Sequence, residues 1–164
     1  MTSTDQLEQH KNVYRRYIEL LNAQDFDTLS EVVDPEKYKE ICVGFTPGWV
    51  NLTDAVTSLK KVLTGIPNLH ARIEDVVAED NKVYARLKVT GTQKGGLFGM
   101  PATHKSYEVQ MFDFAMIERG KIVERIQQSD NLGQFITLFK ETFITVGVVV
   151  AVVIVGLVTA LILK

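Results

Sequence analysis

The 164-residue sequence predicts an α+β domain, a cone in which N-terminal helices cover one face of a highly curved antiparallel sheet, followed by a C-terminal transmembrane helix. Three observations predict this. Helical periodicity fills the first third of the chain. Between Leu69 and Asp130, apolar and polar residues alternate, as in Val83, Ala85, Leu87 and Val89 against Tyr84, Arg86, Lys88 and Thr90. From Phe143 to Leu163 no residue carries a charge.

The first helix runs from Asp5 to about Gln24, because Val13, Tyr14, Tyr17, Ile18, Leu20 and Leu21 form one broad apolar stripe. Ser3 and Gln6 have the spacing of a capping box. A short second helix from about Phe26 to Val33 is closed by Pro35. The segment from Glu36 to Trp49, broken by Gly44, Pro47 and Gly48, reads as irregular. A third helix follows from Leu52 to Leu63, with Leu52, Val56, Leu59 and Leu63 on one stripe, and Ile66-Pro67-Asn68 turns the chain into the sheet.

Four strands are expected over 69–79, 81–93, 105–118 and 120–130. Asp80-Asn81 and Arg119-Gly120 supply hairpin turns. The glycine-rich stretch between the second and third strands reads as a mobile loop at one end of the sheet. A two-residue turn at Arg119-Gly120 sets Ile117 opposite Ile122, Ala115 opposite Glu124, Asp113 opposite Ile126 and Val109 opposite Asp130. Val109, Met111, Asp113, Ala115, Ile122, Ile126, Gln128 and Asp130 then share one face. Two carboxylates on an apolar face are costly to bury unless paired, hydrogen-bonded or protonated, so this face is where chemistry is expected.

An apolar pocket raises a carboxylate's pKa toward that of a working base, which suits Asp130 to general acid/base catalysis. The competing reading is a helix cap, because Ser129-Asp130-Asn131 is a good N-cap stretch for the segment that follows. Asp113 lies four residues along the ladder, ~13 Å away at ~3.3 Å per residue, too far to share a proton, so a structural hydrogen bond is its simpler role. Arg125 falls on the opposite face by the same alternation, as a solvated cross-strand partner. Trp49, Phe98, Met100, Met111, Ile126 and Gln128 are pocket candidates with Asp113; Phe45, Phe112 and Phe114 join the aromatics that line either a pocket or plain core.

The net charge of −2, with both signs interspersed, points away from nucleic acid. Cys42 is the only cysteine, so no internal disulfide forms, and it has no neighbouring base to make it a nucleophile. His10, His70 and His104 lack ligand spacing, so no metal is expected. The polar start has no apolar core of a cleaved signal. The uncharged run of about 21 residues makes a helix of ~32 Å, enough for a ~30 Å hydrocarbon core. The expected organisation is a folded domain over 1–134, a juxtamembrane segment over 135–142 and a transmembrane helix over 143–163. With only Lys164 after it, the expectation is a tail-anchored, single-pass protein whose domain faces the cytosol.

The stretches from Tyr17 to Pro35, Thr46 to Trp49, Ile66 to Lys105 and Phe112 to Gly133 resemble, in order and spacing, the SnoaL-like polyketide cyclases and related ester cyclases of the nuclear transport factor two superfamily. The resemblance spans roughly Leu7 to Gln134. It implies an α+β cone, often dimeric, and intramolecular aldol-type ring closure or isomerisation of a small apolar ketone or polyketide-like intermediate, without metal or cofactor. It also implies that the acid/base is an aspartate near the end of the last strand, by position Asp130. The chain departs from the family pattern at Arg125-Ile126, where His-Trp is usual, at Glu40-Ile41, where a histidine is frequent, and at Ala115-Met116, where an aromatic–arginine pair is usual. The alternative function is a non-catalytic, membrane-tethered scaffold that binds a lipophilic ligand or dimerises.

Overall fold

The computed structural model describes residues 3–44, 46–97 and 99–162. Helix α1 spans Ser3–Ala23, a 3₁₀ turn covers Thr28–Glu31, and strand β1 covers Lys39–Cys42. Helix α2 (Leu52–Gly65) precedes strands β2 (His70–Glu79), β3 (Lys82–Thr92), β4 (Ser106–Glu118) and β5 (Lys121–Ser129), and helix α3 (Asn131–Ile162) ends the chain. The second expected helix is thus only a 3₁₀ turn of four residues, because the short stretch before Pro35 does not repay the cost of nucleating an α-helix.

The α+β class and the four antiparallel strands of Leu69 to Asp130 are as expected, but the sheet is mixed. Its order is β1-β5-β4-β3-β2, and β1 pairs parallel to β5, with Glu40 opposite Arg125 and Cys42 opposite Gln127. The stretch expected to be irregular therefore supplies an edge strand. Its four residues are too short to show alternation and they rely on β5 for register. On its other side, Glu40 and Val50 exchange backbone hydrogen bonds of 2.8 Å.

Two single-residue bulges curve the sheet, since an unpaired extra residue bends a strand and steepens its twist. Glu74 is the extra residue of β2, between the pairs Ile73–Leu87 and Asp75–Arg86. Val123 is the extra residue of β5, between Ile117–Ile122 and Met116–Glu124. The hairpin before it is the two-residue type, with Arg119 and Gly120 both at positive φ, which a right-twisted hairpin requires.

The concave face packs on α1. Tyr14, Tyr17, Ile18 and Leu20 are buried against Val83, Ala85, Leu87 and Val89 of β3 and Val109, Ala115 and Ile117 of β4. Side chains fix the helix at both ends. The His10 ring nitrogen lies 2.9 Å from the Asp80 carbonyl oxygen, and Asn22 exchanges two 2.8 Å hydrogen bonds with the backbone of Ala71. Asn51 caps α2 by accepting from the Asp54 N–H.

A second core cluster joins the last helix to the domain. Leu138 and Phe139 are buried with Ile66 and Leu97, and Leu69, Met100 and Tyr107 pack around them. Lys105 reaches Glu141 at 3.1 Å across the same seam. Helix α3 is continuous from Asn131 to Ile162, and Leu138 and Phe139 of its early turns pack into this cluster. Beyond Glu141 the described large apolar side chains, from Phe143 to Leu157, are exposed. The run Ile136–Val155 is long and apolar enough to cross a membrane. The last two residues, including Leu163 of the expected span, lie outside the described residues, as do Phe45 and Phe98.

Candidate active site

A cavity of about 570 Å³ lies between the concave face, α1, α2 and the start of α3. Its walls are mostly aliphatic. Leu52, Val56, Leu59, Val62 and Leu63 form the apolar stripe of α2, and they stay half-buried because they face the cavity. Ile18, Leu21, Leu87, Val89, Leu138 and Phe139 close other sides. The charged lining residues are Glu40 and Arg125, with Tyr17 and Gln127 beside them, and Asn22, Thr46, Ser58 and Tyr107 add neutral polar groups.

The Val123 bulge puts Arg125 and Gln127 in this lining. Alternation across a strand has a period of two, so one extra residue exchanges the faces of everything beyond it. Ile126, Gln128 and Asp130, expected on the inner face, fall out of it. Arg125 pairs with Ala115 and Gln127 with Asp113, so both point inward. Arg125, expected as a solvated partner, is buried at 5% exposure.

Its guanidinium binds two carboxylates. Nε lies 3.1 and 2.9 Å from the two Asp113 oxygens and Nη2 is 2.7 Å from Oδ2, a forked pair. Nη1 donates to Glu40 Oε2 at 3.3 Å and to the Tyr17 hydroxyl at 3.0 Å. Tyr14 donates to Asp113 at 2.6 Å, Tyr38 donates to Glu40 at 2.6 Å, and the Tyr17 and Tyr38 hydroxyls are 3.2 Å apart. The Arg125 carbon Cζ also sits 5.0 Å over the Tyr17 ring. Among the described residues no buried side-chain nitrogen or oxygen lacks a partner.

Burial sets the electrostatics. It pushes the Asp113 carboxyl up, while the charge and hydrogen bonds of Arg125 and the Tyr14 hydroxyl pull it back. Burial works against the Arg125 charge, yet Asp113 and Glu40 hold its pKa well above the ordinary value. Desolvation pushes Tyr17 up to about 12 and raises Tyr14 and Tyr38 well above the usual phenol range. Tyr107, on the cavity wall, is pushed by burial to about 12.

The expected site residues are dispersed by this geometry. Met111 lines the cavity. Asp113 is buried behind Arg125, in the structural hydrogen-bonding role expected of it. Met100 packs in the second cluster beside Leu97. Gln128 is exposed and Ile126 half-buried on the outer face. Trp49 is half-exposed, under the Lys39 ammonium at 4.6 Å, and does not line the cavity. Phe112 is 60% exposed on the outer face, and Phe114 stacks there at 5.2 Å from Tyr84.

Asp130 is exposed and outside the cavity lining. Its Oδ1 accepts from the Gly133 N–H at 2.8 Å, the helix cap that was the alternative reading. A Cβ on Gly133 would lie 2.0 Å from Asp130 Oδ2, so the cap requires glycine there. Sequence reasoning missed Arg125, Glu40 and the three tyrosines. The available signal was Tyr14 and Tyr17 on an apolar stripe, because buried hydroxyls need partners and the sheet had to supply them.

The family model described as SnoaL-like polyketide cyclase matches residues 11–138. The chain belongs to that family. Its cone resembles a protein assigned as a SnoaL-like polyketide cyclase from Jannaschia sp. CCS1, with a TM-score of 0.73, 21% identity, and coverage of 80% of this chain and 92% of that one. TsrD from Streptomyces laurentii follows with a TM-score of 0.67, 20% identity and coverage of 80% and 94%. A SnoaL-like polyketide cyclase from Agrobacterium tumefaciens has a TM-score of 0.63, 22% identity and coverage of 82% and 97%. At these identities the solved structures carry the nuclear transport factor two-like fold alone. Among curated proteins none matches the chain at a significant level.

Two outcomes follow from the buried cluster. Arg125→Met leaves Asp113 and Glu40 buried without their cation, which should cost ~3–5 kcal/mol in urea unfolding. An unchanged unfolding midpoint would show that the cluster is not formed. The tyrosines set the alkaline limit. With Tyr17 and Tyr107 at about 12 folded and ~10 unfolded, the unfolded chain loses those protons first. Their contribution is fully present below pH ~10 and is lost as the pH rises toward 12. Tyrosinate absorbance and circular dichroism should therefore change together in that window.

Proposed function

We propose that the cavity takes a small, mostly apolar ketone or polyketide-like intermediate and performs ring closure or isomerisation by acid/base chemistry. The observation that carries this reading is the mostly aliphatic cavity with one charged end, where a carboxylate, a guanidinium and a phenol meet at Glu40, Arg125 and Tyr17. Its volume lies in the range of roughly 300–1,000 Å³ that suits drug-sized ligands. Family membership supports cyclase or isomerase activity as the reaction class.

In this reading the carbonyl of the ligand lies against Arg125 and Tyr17, whose donors favour negative charge developing on oxygen. Glu40 removes a proton from the carbon next to that carbonyl. The enolate then attacks a second carbonyl of the same molecule, forming one carbon–carbon bond, and the new alkoxide takes the proton back. Isomerisation returns the proton to a different carbon instead. Neither course consumes a second reagent.

The geometry thus favours Glu40 over Asp130, which the family resemblance suggested, and substitution separates them. Once a ligand has been identified by extraction from the purified full chain, Glu40→Gln should lower its turnover by ~10²–10⁴. Asp130→Asn should turn over near the wild-type rate, because asparagine also caps a helix. The reverse result would place the chemistry at Asp130. The second reading, a lipophilic-ligand binder without chemistry, is favoured by the complete satisfaction of the buried polar atoms. Binding without turnover in every variant would select it.

We also propose that α3 crosses a membrane beyond Glu141. The exposed, unbroken apolar surface there supports this, since water would have to solvate all of it. Full-length chain should stay in the pellet after carbonate extraction, and a chain ending at Glu141 should be released. Release of both would end the membrane reading. A homodimer through the outer sheet face, where Val77, Tyr84 and Phe112 are exposed, belongs to the same proposal.

A further inference from the structure

The helix that would enter the bilayer is also a wall of the cavity. Leu132, Leu138 and Phe139 of α3 line the cavity, and Leu138 and Phe139 fall within the apolar run Ile136–Val155 that is able to span a membrane. From Phe139 to Phe143 the helix rises only ~6 Å. Leu138 and Phe139 are locked into the second core cluster and Lys105 clamps Glu141, so the cavity cannot swing away from the entry point of the helix. The exposed residues of the cavity lining mark its mouth: Gly44, Ser58 of α2, and Leu132 of α3 at 71% exposure. Ile136, one turn further along α3, is exposed as well. Between this mouth and the apolar surface beyond Phe143, Ile136 is accompanied by exposed Thr137, Lys140 and Glu141, the polar groups of a headgroup layer.

We infer that the cavity is loaded from the bilayer: its ligand is a membrane-dissolved apolar molecule that enters beside the base of α3 without passing through water. This rests on the reading above that the cavity takes an apolar ketone and that α3 inserts. It adds a substrate class, molecules that partition into lipid, and a second role for α3 as the wall that joins cavity and membrane. Apolar lining also fits this route, because the ligand moves between two apolar media and gains little by crossing water.

Photolabelling of the full chain tests the route. The chain is reconstituted in phosphatidylcholine vesicles that hold a benzophenone carrying a long para-alkyl chain, an apolar ketone that stays in the bilayer and inserts into nearby C–H bonds on irradiation. A parallel sample receives unsubstituted benzophenone, which is small enough to reach the cavity through water as well as lipid. Labelled positions are read by mass spectrometry. The expected result is labelling by the long-chain probe at Leu59 and Val62 of α2, deep in the cavity, as well as along the apolar run of α3. Leu132→Arg changes an exposed side chain, so folding is preserved, and it should lower cavity labelling by the long-chain probe several-fold while sparing benzophenone labelling. Equal labelling in this variant would overturn a mouth at Leu132. If benzophenone labels the cavity but the long-chain probe marks only α3 beyond Glu141, loading from the bilayer is overturned and the binding reading stands. If neither probe labels the cavity, the binding reading fails and the route falls with it.

Discussion

The structure depends on burying one guanidinium. Arg125 of β5 sits in the concave face beside β1, β4 and α1, and each of these three elements supplies a group that compensates it: Glu40, Asp113 and Tyr17, with Tyr38 and Tyr14 behind the carboxylates. A lone cation there would be prohibitively costly, and so would either carboxylate alone. The cluster is stable only when all four elements are assembled, so it ties the N-terminal helix, the short edge strand and the central hairpin into one cooperative unit. Such a network stabilises little against an apolar replacement of equal volume, but it penalises any other register of β5.

Most of the architecture was legible because it is written in periodicity. The helical stripe of α1, the alternation along β2 to β4 and the uncharged C-terminal run are repeated signals, each carried by many residues; the boundaries of α1 and β2 to β4 match the structure to within a few positions, whereas α3 begins at Asn131, well before the uncharged run. The candidate site was not legible, for one reason of parity. Ile122 and Val123 are adjacent apolar residues, and both are buried, one in the ladder and one as the bulge. The sequence is compatible with either parity beyond them. The unbroken ladder put Ile126, Gln128 and Asp130 inside, whereas the bulge puts Arg125 and Gln127 there. A single unpaired residue therefore moved the chemistry from the end of the last strand to its middle. Edge strand β1 was missed on different grounds, because Lys39 and Glu40 in a four-residue strand look like loop until their cross-strand partners, Glu124 and Arg125, are known.

The departures from the family pattern become intelligible together. Two of the departures that the resemblance marked in the sequence fall at Glu40-Ile41 and at Arg125-Ile126. Glu40 and Arg125 are direct partners on neighbouring strands. Read separately, each looks like the loss of a catalytic group. Read as a pair, they are one compensated exchange, in which a carboxylate and a guanidinium occupy the charged end of the same cavity. A histidine there would exchange protons near neutral pH, whereas an arginine keeps its charge at every physiological pH and can only donate. Arg125 thus keeps this part of the cavity a permanent donor, and in the proposed reaction the proton would move at Glu40.

That fixed donor also defines how a ligand must lie. The remaining walls carry no further charged side chain, and their polar groups are the scattered Asn22, Thr46, Ser58 and Tyr107 among mostly aliphatic neighbours. In the proposed reading, an apolar ketone would place its oxygen toward Arg125 and Tyr17 and its hydrocarbon body toward α2 and Phe139. Reversed, the same molecule would leave the carbonyl unpaired in an apolar wall, a cost of about 1–3 kcal/mol for a buried polar group. Orientation is thus enforced by the scarcity of polar groups as much as by their presence. The same scarcity explains why α2 can remain half-buried: its stripe completes an apolar chamber whose other contents arrive from outside the chain.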